Sequence, residues 1–322
     1  MRKDITKRFL MKEDRYLGKM LSKDVHDFIL RKKINKDAER IGYDEIEFRN
    51  VFSTQFTKLN TKNSLKSGHK IKKVVPKNGK SIVFNMVYCE EGRFTMGSDN
   101  KDHNNPKRVV EIEKPFLLGE AEVTQELYEL VMDNNPSHFQ GYKYANSSQT
   151  PVECVTWYEA IMFCNKLSEL LGINSYYETK VEYHDNSKSI KNASVEINEK
   201  ANGFRLPLEK EWEYAAKAST NNQWSGTNNK SNLGEYAWFG EDEYSGSTHP
   251  ISQKKPNEWG FYDMSGNICE WCWDVEDSKS NSRVVRGGSW YNYAPSLHST
   301  SRSCISPTRK YNDLGFRIAA SL

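Results

Sequence analysis

Residues 284–290 of the chain read VVRGGSW, and residues 314–322 read LGFRIAASL. In the first motif, Gly287 and Gly288 are adjacent, which indicates backbone that bends sharply or passes close to another segment. The second motif begins with a run of small and apolar residues, which predicts a closing strand over 314–319. We therefore expect both ends of this region to belong to a rigid frame.

Between the two motifs lies a polar segment, Tyr291–Arg309, with the sequence YNYAPSLHSTSRSCISPTR. It shows neither a helical nor a strand period. Its many Tyr, Ser, Asn and His residues are typical of adaptable contact surfaces such as antibody loops. A surface loop without a function is the alternative, although such a loop rarely separates two glycine-anchored motifs. The segment is therefore the first candidate for a binding surface.

The composition is that of a folded chain. Of its 322 residues, 37% are hydrophobic, which is enough for one large core or two smaller ones. The 8 Trp, 17 Tyr and 14 Phe residues are too many for a disordered chain. No apolar run approaches about 18 residues, so no transmembrane helix is predicted. The first residues also lack the apolar stretch of a signal peptide.

Charge divides the chain into a basic front and an acidic body. Residues 1–80 contain 22 Lys and Arg against 10 Asp and Glu, whereas the rest contains 24 against 33. Helical spacing after Tyr16 predicts that residues 1–80 form a basic, partly helical extension, with Lys58–Lys80 as a linker or exposed loop. The extension either packs on the body or associates with an anionic membrane surface. Nucleic acid is a less favoured partner because no nucleic-acid motif is present.

Six cysteines are spread along the chain, and only Cys269 and Cys272 form a CxxC pair. No second pair completes a zinc site, and tryptophans at 271 and 273 alternate with the two cysteines. We favour buried apolar thiols over a redox pair or a metal site.

From residue 81 onward the pattern is that of one mixed domain, 81–322. Alternating and apolar runs predict strands, and Thr124, Thr156 and Pro207 mark the starts of three helices. Thr156 and Glu159 have the spacing of a capping box. The predicted strands are Ile82–Tyr88, Gly92–Ser98, Arg108–Ile112 and 115–123, and residues 174–202 are a predicted hairpin and loop.

Five segments occur in a characteristic order: PVECVTWYEAIMFCNKLSELLG, GFRLPLEKEWEYAAKA, GFYDMSGNICEW, VVRGGSW and LGFRIA. In this order they resemble the sulfatase-modifying, formylglycine-generating-enzyme-like domain family, from about residue 82 to 322. The resemblance implies an α+β fold of the C-type-lectin-like kind, with short twisted sheets, two main helices and much ordered loop.

The resemblance does not carry the oxidase activity with it, because a fold does not determine a function. Oxidases of this family hold copper with two cysteines shortly after the GGS motif. Here Asn292 and Leu297 occupy those positions, and neither supplies a thiolate. Cys304 is too far along the chain to replace both, and the seven histidines lack ligand spacing. We therefore expect no enzyme activity, with an oxidase that has an altered site as the alternative.

A second resemblance lies in the polar segment. The variable proteins of diversity-generating retroelements, such as those of treponemes, share this domain, and mutagenesis at adenines rewrites the positions between GGSW and GFR. Randomised AAY codons cannot encode Lys, Glu, Gln, Met or Trp. These five make up 82 of the 322 residues, yet Tyr291–Arg309 contains none of them, which chance would give in only about 0.4% of cases.

The hypothesis that follows is a non-catalytic ligand- or receptor-binding protein whose variable region is about 284–318. We expect a protein ligand and a monomer, with an accessory structural domain as a further alternative. Location is left open between the cell surface, if a signal or lipid anchor has been removed, and the cytoplasm. The predicted ligand-binding residues are Trp290, Tyr291, Asn292, Tyr293, Ser296, His298, Ser301, Ser303, Arg309, Tyr311 and Asn312.

The family resemblance also implies a structural Ca²⁺ site and no catalytic cofactor. Carried over residue by residue, Asp263 and Glu270 would offer carboxylates, while Gly266 and Ile268 would offer backbone carbonyls. Oxygen ligands of this kind suit Ca²⁺. The alternative is that Asp263 caps a turn, Glu270 pairs with an arginine, and no ion binds.

Overall fold

The computed structural model of the protein describes residues 65–99, 105–141, 144, 146–184, 190–240, 246–276 and 281–322. The expectations for residues 1–64, including the amphipathic helix and the membrane contact, therefore lie outside the described residues. In chain order the elements are β1 (Lys70–Lys77), β2 (Lys80–Cys89), β3 (Gly92–Met96), β4 (Arg108–Ile112), β5 (Phe116–Gly119), α1 (Gln125–Met132), α2 (Trp157–Leu170), β6 (Tyr177–His184), β7 (Ile190–Ile197), β8 (Phe204–Arg205), α3 (Glu209–Lys217), β9 (Cys269–Val275), β10 (Arg283–Arg286), β11 (Ser303–Ile305), β12 (Leu314–Gly315) and β13 (Ala319–Ser321).

The first strand lies before the predicted domain boundary. Strand β1 pairs antiparallel with β2 along its whole length, from Lys70 opposite Val87 to Lys77 opposite Lys80. Residues 70–77 were predicted to be part of a linker, and that prediction was wrong. The four lysines of KIKKVVPK made this segment look like an exposed linker, but it forms a strand whose Val75 is completely buried. An edge strand tolerates such lysines because they discourage pairing with another chain.

Two sheets carry most of the fold. The larger has the strand order β1-β2-β5-β13-β8, so the last strand of the chain lies in its interior. The smaller has the order β11-β10-β9-β12, and its strands β10 and β12 contain the start of each glycine motif of the C-terminal region. Two separate hairpins, β3–β4 and β6–β7, complete the strands, and the second confirms the predicted hairpin within residues 174–202.

The three helices begin where the sequence predicts. Thr124 caps α1 by accepting a hydrogen bond from the Leu127 backbone N–H. At the start of α2, the Thr156 hydroxyl accepts from the Glu159 backbone N–H at 3.1 Å, and the Glu159 carboxylate accepts from the Thr156 N–H at 2.9 Å. The predicted capping box is thus confirmed.

Aromatic residues fill the core between the larger sheet and the helices. Tyr128 of α1 stacks on Phe163 of α2, and both rings contact Phe316 from the LGFRIA motif. Trp157 lies buried against Trp273 of β9. The C-terminal motif therefore packs directly against both helices and is part of the core. Within the described residues, no helix is both long and apolar enough to cross a membrane.

Candidate functional site

The two ends of the polar segment are fixed on a single strand. Strand β10 pairs antiparallel with one side of β9, and β12 pairs parallel with its other side. The chain leaves β10 after Arg286 and enters β12 at Leu314, and between them lies the short strand β11, which pairs with the other edge of β10. The intervening residues are thus a loop whose two ends are held by the same strand, as the glycine motifs predict.

Backbone conformation and close contacts require glycine at both ends of the loop. Gly287 and Gly288 have φ values of 91° and 70°, in the region that favours glycine. At Gly315, a Cβ atom would lie 2.1 Å from the Val152 carbonyl oxygen. The frame that the sequence predicts at Gly287, Gly288 and Gly315 is therefore a frame of close backbone contacts.

A buried arginine holds the middle of the loop by its backbone. The Arg286 guanidinium is 1% exposed and donates to the carbonyl oxygens of Ser299 at 2.7 Å, Thr300 at 3.3 Å and Ser301 at 2.7 Å. Every residue type offers a backbone carbonyl. These hydrogen bonds consequently do not depend on which side chains the loop carries.

Glu213 of α3 fixes the position of that arginine. One carboxylate oxygen accepts from Arg286 at 2.5 Å and from the Asn105 amide at 2.7 Å. The other accepts from the Gly97 N–H at 2.6 Å and lies 2.8 Å from the Lys217 ammonium. Burial alone would raise the pKa of Glu213, but the charges of Arg286 and Lys217 outweigh it and hold the pKa below its ordinary value.

Further donors outside the loop bind other loop carbonyls. The Trp224 indole N–H donates to the Ala294 carbonyl at 2.8 Å, and the Ser265 hydroxyl donates to that of Leu297 at 2.9 Å. Backbone N–H groups do the same elsewhere in the loop. In these pairs the N–H group of the first residue donates to the carbonyl oxygen of the second: Gly240 to Asn292, Trp157 to Pro307, Cys154 to Tyr311, and Cys269 to Asp313.

Six of the predicted ligand-binding residues point outward from this anchored backbone. Tyr291 and Tyr293 are 70% and 66% exposed, and Tyr311 is 43% exposed. Ser296, Ser303 and Arg309 are exposed as well. An exposed tyrosine offers a large contact area at low entropic cost, and this loop exposes three of them.

The other five predicted residues are half-buried. Trp290 packs edge-on against Phe139, with ring centres 5.5 Å apart, and its indole N–H donates to the Asn312 carbonyl. His298 lies edge-on against Trp224 at 4.7 Å. Ser301 donates its hydroxyl hydrogen to the Pro295 carbonyl. These residues border the exposed surface while supporting the loop.

Asn292 also serves the loop's own structure. Its side-chain oxygen accepts hydrogen bonds from the backbone N–H and the hydroxyl of Ser289, both at 3.0 Å. The same oxygen lies 3.8 Å from the Cys269 sulfur. Asn292 thus links the GGSW turn to β9.

Three loop residues that sequence reasoning missed face inward. Ala294, Leu297 and Ser299 are buried. Ala294 and Leu297 belong to a small apolar cluster with Trp224, Leu233, Ala237 and Phe239. The APSL stretch was the available signal, because it places the only Ala and Leu of the segment three residues apart. A short 3₁₀ turn over Ala294–Leu297 puts both on one face.

Asn292 and Leu297, the two positions that the resemblance predicts to correspond to the oxidase cysteines, lie in different surroundings. Asn292 is engaged by Ser289, and Leu297 is fully buried in the apolar cluster. The thiol of Cys269, which lies beside Asn292, is a poor substitute. Burial, followed by the nearby Asp313 carboxylate, raises its pKa, which keeps the sulfur protonated.

The residues of the expected Ca²⁺ site are used in different ways. Both oxygens of Glu270 accept from the Arg317 guanidinium, at 2.6 and 2.7 Å, and one also accepts from the Trp212 indole N–H. Glu270 therefore does not fit as a metal ligand. Asp263 fits better, because one oxygen accepts from the Ser252 N–H while the other is buried without a partner.

A second carboxylate was missed by sequence reasoning. Glu122 is 3% exposed, and neither of its oxygens has a hydrogen-bond partner. Burial, and next the charge of Asp263, raises the pKa of Glu122 well above its ordinary value. Two buried carboxylates with three unpartnered oxygens fit a hard cation. Across the described parts of the chain, no group of three or more His, Cys, Asp and Glu residues could hold a metal ion. Backbone carbonyls such as those of Gly266 and Ile268 would have to complete the site.

Comparisons with known proteins found relatives that are similar to this chain over most of its length. The solved structure of Treponema denticola variable protein 1 has a TM-score of 0.69 and 35% sequence identity, and the alignment covers 78% of this chain and 99% of that one. The chaperone protein LppX of Paenibacillus barcinonensis is 37% identical in an alignment 229 residues long, and the alignment covers 64% of this chain and 78% of the relative. The inactive C-alpha-formylglycine-generating enzyme 2 of Bos taurus is 27% identical over 282 residues, covering 76% and 89% respectively.

The fold prediction is confirmed by the same findings. The described residues form few helices and short, curled sheets, as expected for the predicted α+β, C-type-lectin-like fold. The match to Treponema denticola variable protein 1 supports the same fold. Residues 72–322 match the family described as a sulfatase-modifying factor enzyme 1-like domain. Because the match spans more than three-quarters of the sequence, the chain belongs to the sulfatase-modifying factor enzyme 1-like domain family.

Proposed function

We propose that this protein is a non-catalytic binding protein whose loop residues 291–312 contact a protein ligand. The observation that carries the proposal is the anchoring of the loop by its backbone. Arg286, Trp224 and Ser265 bind loop carbonyls, while Tyr291 and Tyr293 project into solvent. A surface built in this way accepts new outward side chains without losing its shape, provided that buried residues such as Leu297 are kept.

The same arrangement supports diversification by a retroelement as the origin of the loop sequence. Adenine-directed mutagenesis changes side chains at random, so the fold must not depend on them. The similarity to Treponema denticola variable protein 1 and the absence of Lys, Glu, Gln, Met and Trp from residues 291–309 favour this origin. A near-copy of the coding DNA for residues 290–315, differing at adenines and lying beside a reverse-transcriptase gene, is the expected finding. Its absence would remove diversification from the proposal.

The absence of catalysis rests on Asn292 and Leu297. An amide and an aliphatic side chain cannot replace two thiolates as ligands of a soft metal ion. The bovine relative that carries the word inactive in its name favours the same conclusion. Formation of formylglycine in a cysteine-containing peptide, with copper added, would refute it.

A display experiment tests the binding surface directly. Six outward positions are randomised together: Tyr291, Tyr293, Ser296, Ser303, Arg309 and Tyr311. The library is selected against a purified probe such as lysozyme. We expect folded clones that bind the probe. A control library at exposed positions of the β6–β7 hairpin should yield fewer binders, and equal yields would contradict a specialised surface.

A second candidate function comes from the LppX relative. That protein is named a chaperone and is 37% identical, so binding of a client polypeptide is the alternative. A chaperone would suppress aggregation of an unfolded client in solution, which a specific receptor would not do. A light-scattering assay with reduced lysozyme separates the two candidates.

We further propose a structural Ca²⁺ ion held by Glu122 and Asp263, with backbone carbonyls of Gly266 and Ile268. The ion would neutralise two carboxylates that are otherwise buried without partners. Its role would be to tie the 263–268 segment, which precedes β9, to the segment before α1.

A further inference from the structure

A polar cleft of about 550 Å³ lies beside the loop. Its wall includes His298 and Thr300 from the loop, the end of β3 at Thr95, and residues 221–223, which follow α3. The volume is within the usual range for sites that bind small molecules or single side chains of a partner. The cleft is therefore large enough to take part of a ligand that contacts the loop.

The cleft is rich in hydrogen-bond donors and carries positive charge. Lys107 and Lys217 line it, together with the amides of Asn221, Asn222 and Gln223. Among the lining residues, the only acidic side chain is that of Asp99. Ammonium and amide groups complement a ligand that offers oxygen acceptors and negative charge.

The two lysines differ in how far their charges are available. The Lys107 ammonium lies 3.2 Å from Asp99, and both side chains are more than half exposed, so the pair is weak. The Lys217 ammonium lies 2.8 Å from Glu213 and donates to the Thr95 carbonyl at 2.6 Å, and its side chain is mostly buried. A ligand anion would thus gain its attraction mainly from Lys107.

The adjoining loop has the same sign of charge. Residues 291–312 contain three basic residues, Arg302, Arg309 and Lys310, and no acidic residue. Residues 81–322 as a whole contain 33 acidic against 24 basic residues. Arg302 pairs with Glu209 and Lys310 with Glu159, both at 3.0 Å, so the exposed Arg309 and the weakly paired Lys107 would contribute most to the attraction of an acidic partner.

We propose that the cleft binds a carboxylate-bearing side chain of the protein ligand, so that the ligand contributes an acidic segment at this place. The inference rests on the proposed function, because it assigns part of the ligand to the same surface. The carboxylate would lie between Lys107 and the amides of residues 221–223, while the tyrosines contact the rest of the ligand.

The test uses capped peptides as probes and the full chain in low salt. An acetylated, amidated tetraglutamate peptide should bind and shift the side-chain amide resonances of Asn221, Asn222 and Gln223 in NMR spectra. Tetraglutamine should not. Lys107→Glu should weaken tetraglutamate binding about tenfold, since an attraction is replaced by a repulsion. Lys72→Glu, at an exposed position of β1, is the matched control and should leave the affinity unchanged.

Three outcomes with the two peptides would overturn the inference. These are equal binding of tetraglutamine, full binding by Lys107→Glu, and amide shifts confined to residues outside the cleft. Binding of inorganic phosphate without binding of tetraglutamate would equally contradict a carboxylate site. A variant with Tyr291, Tyr293 and Tyr311 changed to Ala should still bind the peptide. Failure of the display experiment would therefore leave this result unaffected, and the two proposals can fail separately.

Discussion

Gly315 shows how strongly single residues define the frame. An added Cβ would lie 2.1 Å from the Val152 carbonyl and 2.6 Å from the Ile268 side chain. Gly315→Ala should therefore lower the free energy of unfolding by about 2–3 kcal/mol, because backbone must move to relieve the overlap. Gly234→Ala is the control, since nothing lies within 4 Å of its Cβ position. Chemical denaturation of both variants is the measurement, and equal stabilities would contradict the frame described for β12.

The proposed site at Glu122 and Asp263 predicts that Ca²⁺ stabilises the fold. If the ion binds the folded state alone, Ca²⁺ at about 100 times its Kd should stabilise the protein by about 2.7 kcal/mol. Glu122→Gln should abolish that increment by removing a carboxylate ligand. In contrast, Glu270→Gln should destabilise the protein with or without Ca²⁺, because it leaves the buried Arg317 unpaired. Melting curves with Ca²⁺ and with a chelator give the comparison, and an unchanged Tm in the parent protein would refute the site.

Glu213 gives a prediction for the dependence of stability on pH. Its pKa in the folded state is below the ordinary value of 4.5, so the ionised carboxylate stabilises the fold above that pH. This contribution is lost as the pH falls through the folded-state pKa. Glu213→Gln should cost about 3–5 kcal/mol at pH 7, and the difference from the parent protein should narrow below pH 4.5.

The control for Glu213 is Glu235→Gln. Glu235 pairs with Lys255 at the surface, where both side chains are more than half exposed. Such a change should stay within about 0.5 kcal/mol. If Glu213→Gln behaved like this control in urea titrations at several pH values, Glu213 would not be what positions Arg286.

At the scale of elements, the loop should divide into side chains that matter for stability and side chains that do not. Changing Tyr291, Tyr293 and Tyr311 together to Ala should alter stability by less than about 1 kcal/mol, because all three are exposed. Leu297→Ala should cost about 2–5 kcal/mol, because it leaves a cavity beside Trp224 and Phe239. If the triple variant melts as early as Leu297→Ala, the tyrosines belong to the core and the binding-surface proposal fails.

The sequence predicts those elements best whose cause is local. The capping box of α2 needs only Thr156 and Glu159, and the glycine turn before Ser289 needs only its own backbone. Strand β1 was missed because its lysines mask the alternation on an edge strand. The inward direction of Leu297 depends on Trp224 and Leu233, which are distant in sequence, and no periodicity in an irregular loop reveals it.

The candidate site was predicted unevenly for the same reason. Exposed tyrosines were foreseen because their residue type is typical of contact surfaces. The role of Asn292 within the GGSW turn was not foreseen, since it depends on the fold bringing Ser289 and Cys269 to its side chain. Glu122 escaped notice because only the tertiary structure places its carboxylate near Asp263.

At the scale of the whole molecule, charge is unevenly distributed along the sequence. Residues 291–312 contain three basic residues and no acidic one, whereas residues 81–322 contain 33 acidic against 24 basic residues, so the proposed cleft would favour acidic partners before any contact forms. Such attraction is screened beyond about 8 Å at physiological ionic strength. Close contacts of the tyrosines would then decide which acidic partner stays bound.

The hydrogen bonds from Arg286 to the carbonyls of residues 299–301 have a consequence for how this protein changes over generations. Those acceptors are present whatever amino acids the gene encodes at these positions. A new allele that changes only outward side chains, and keeps buried ones such as that of Leu297, can therefore retain the fold while presenting a new surface. Most random changes in a protein lower its stability and are removed by selection. If the proposed function holds, a lineage could vary the outward side chains of this loop, and fewer of its variants would be lost to misfolding.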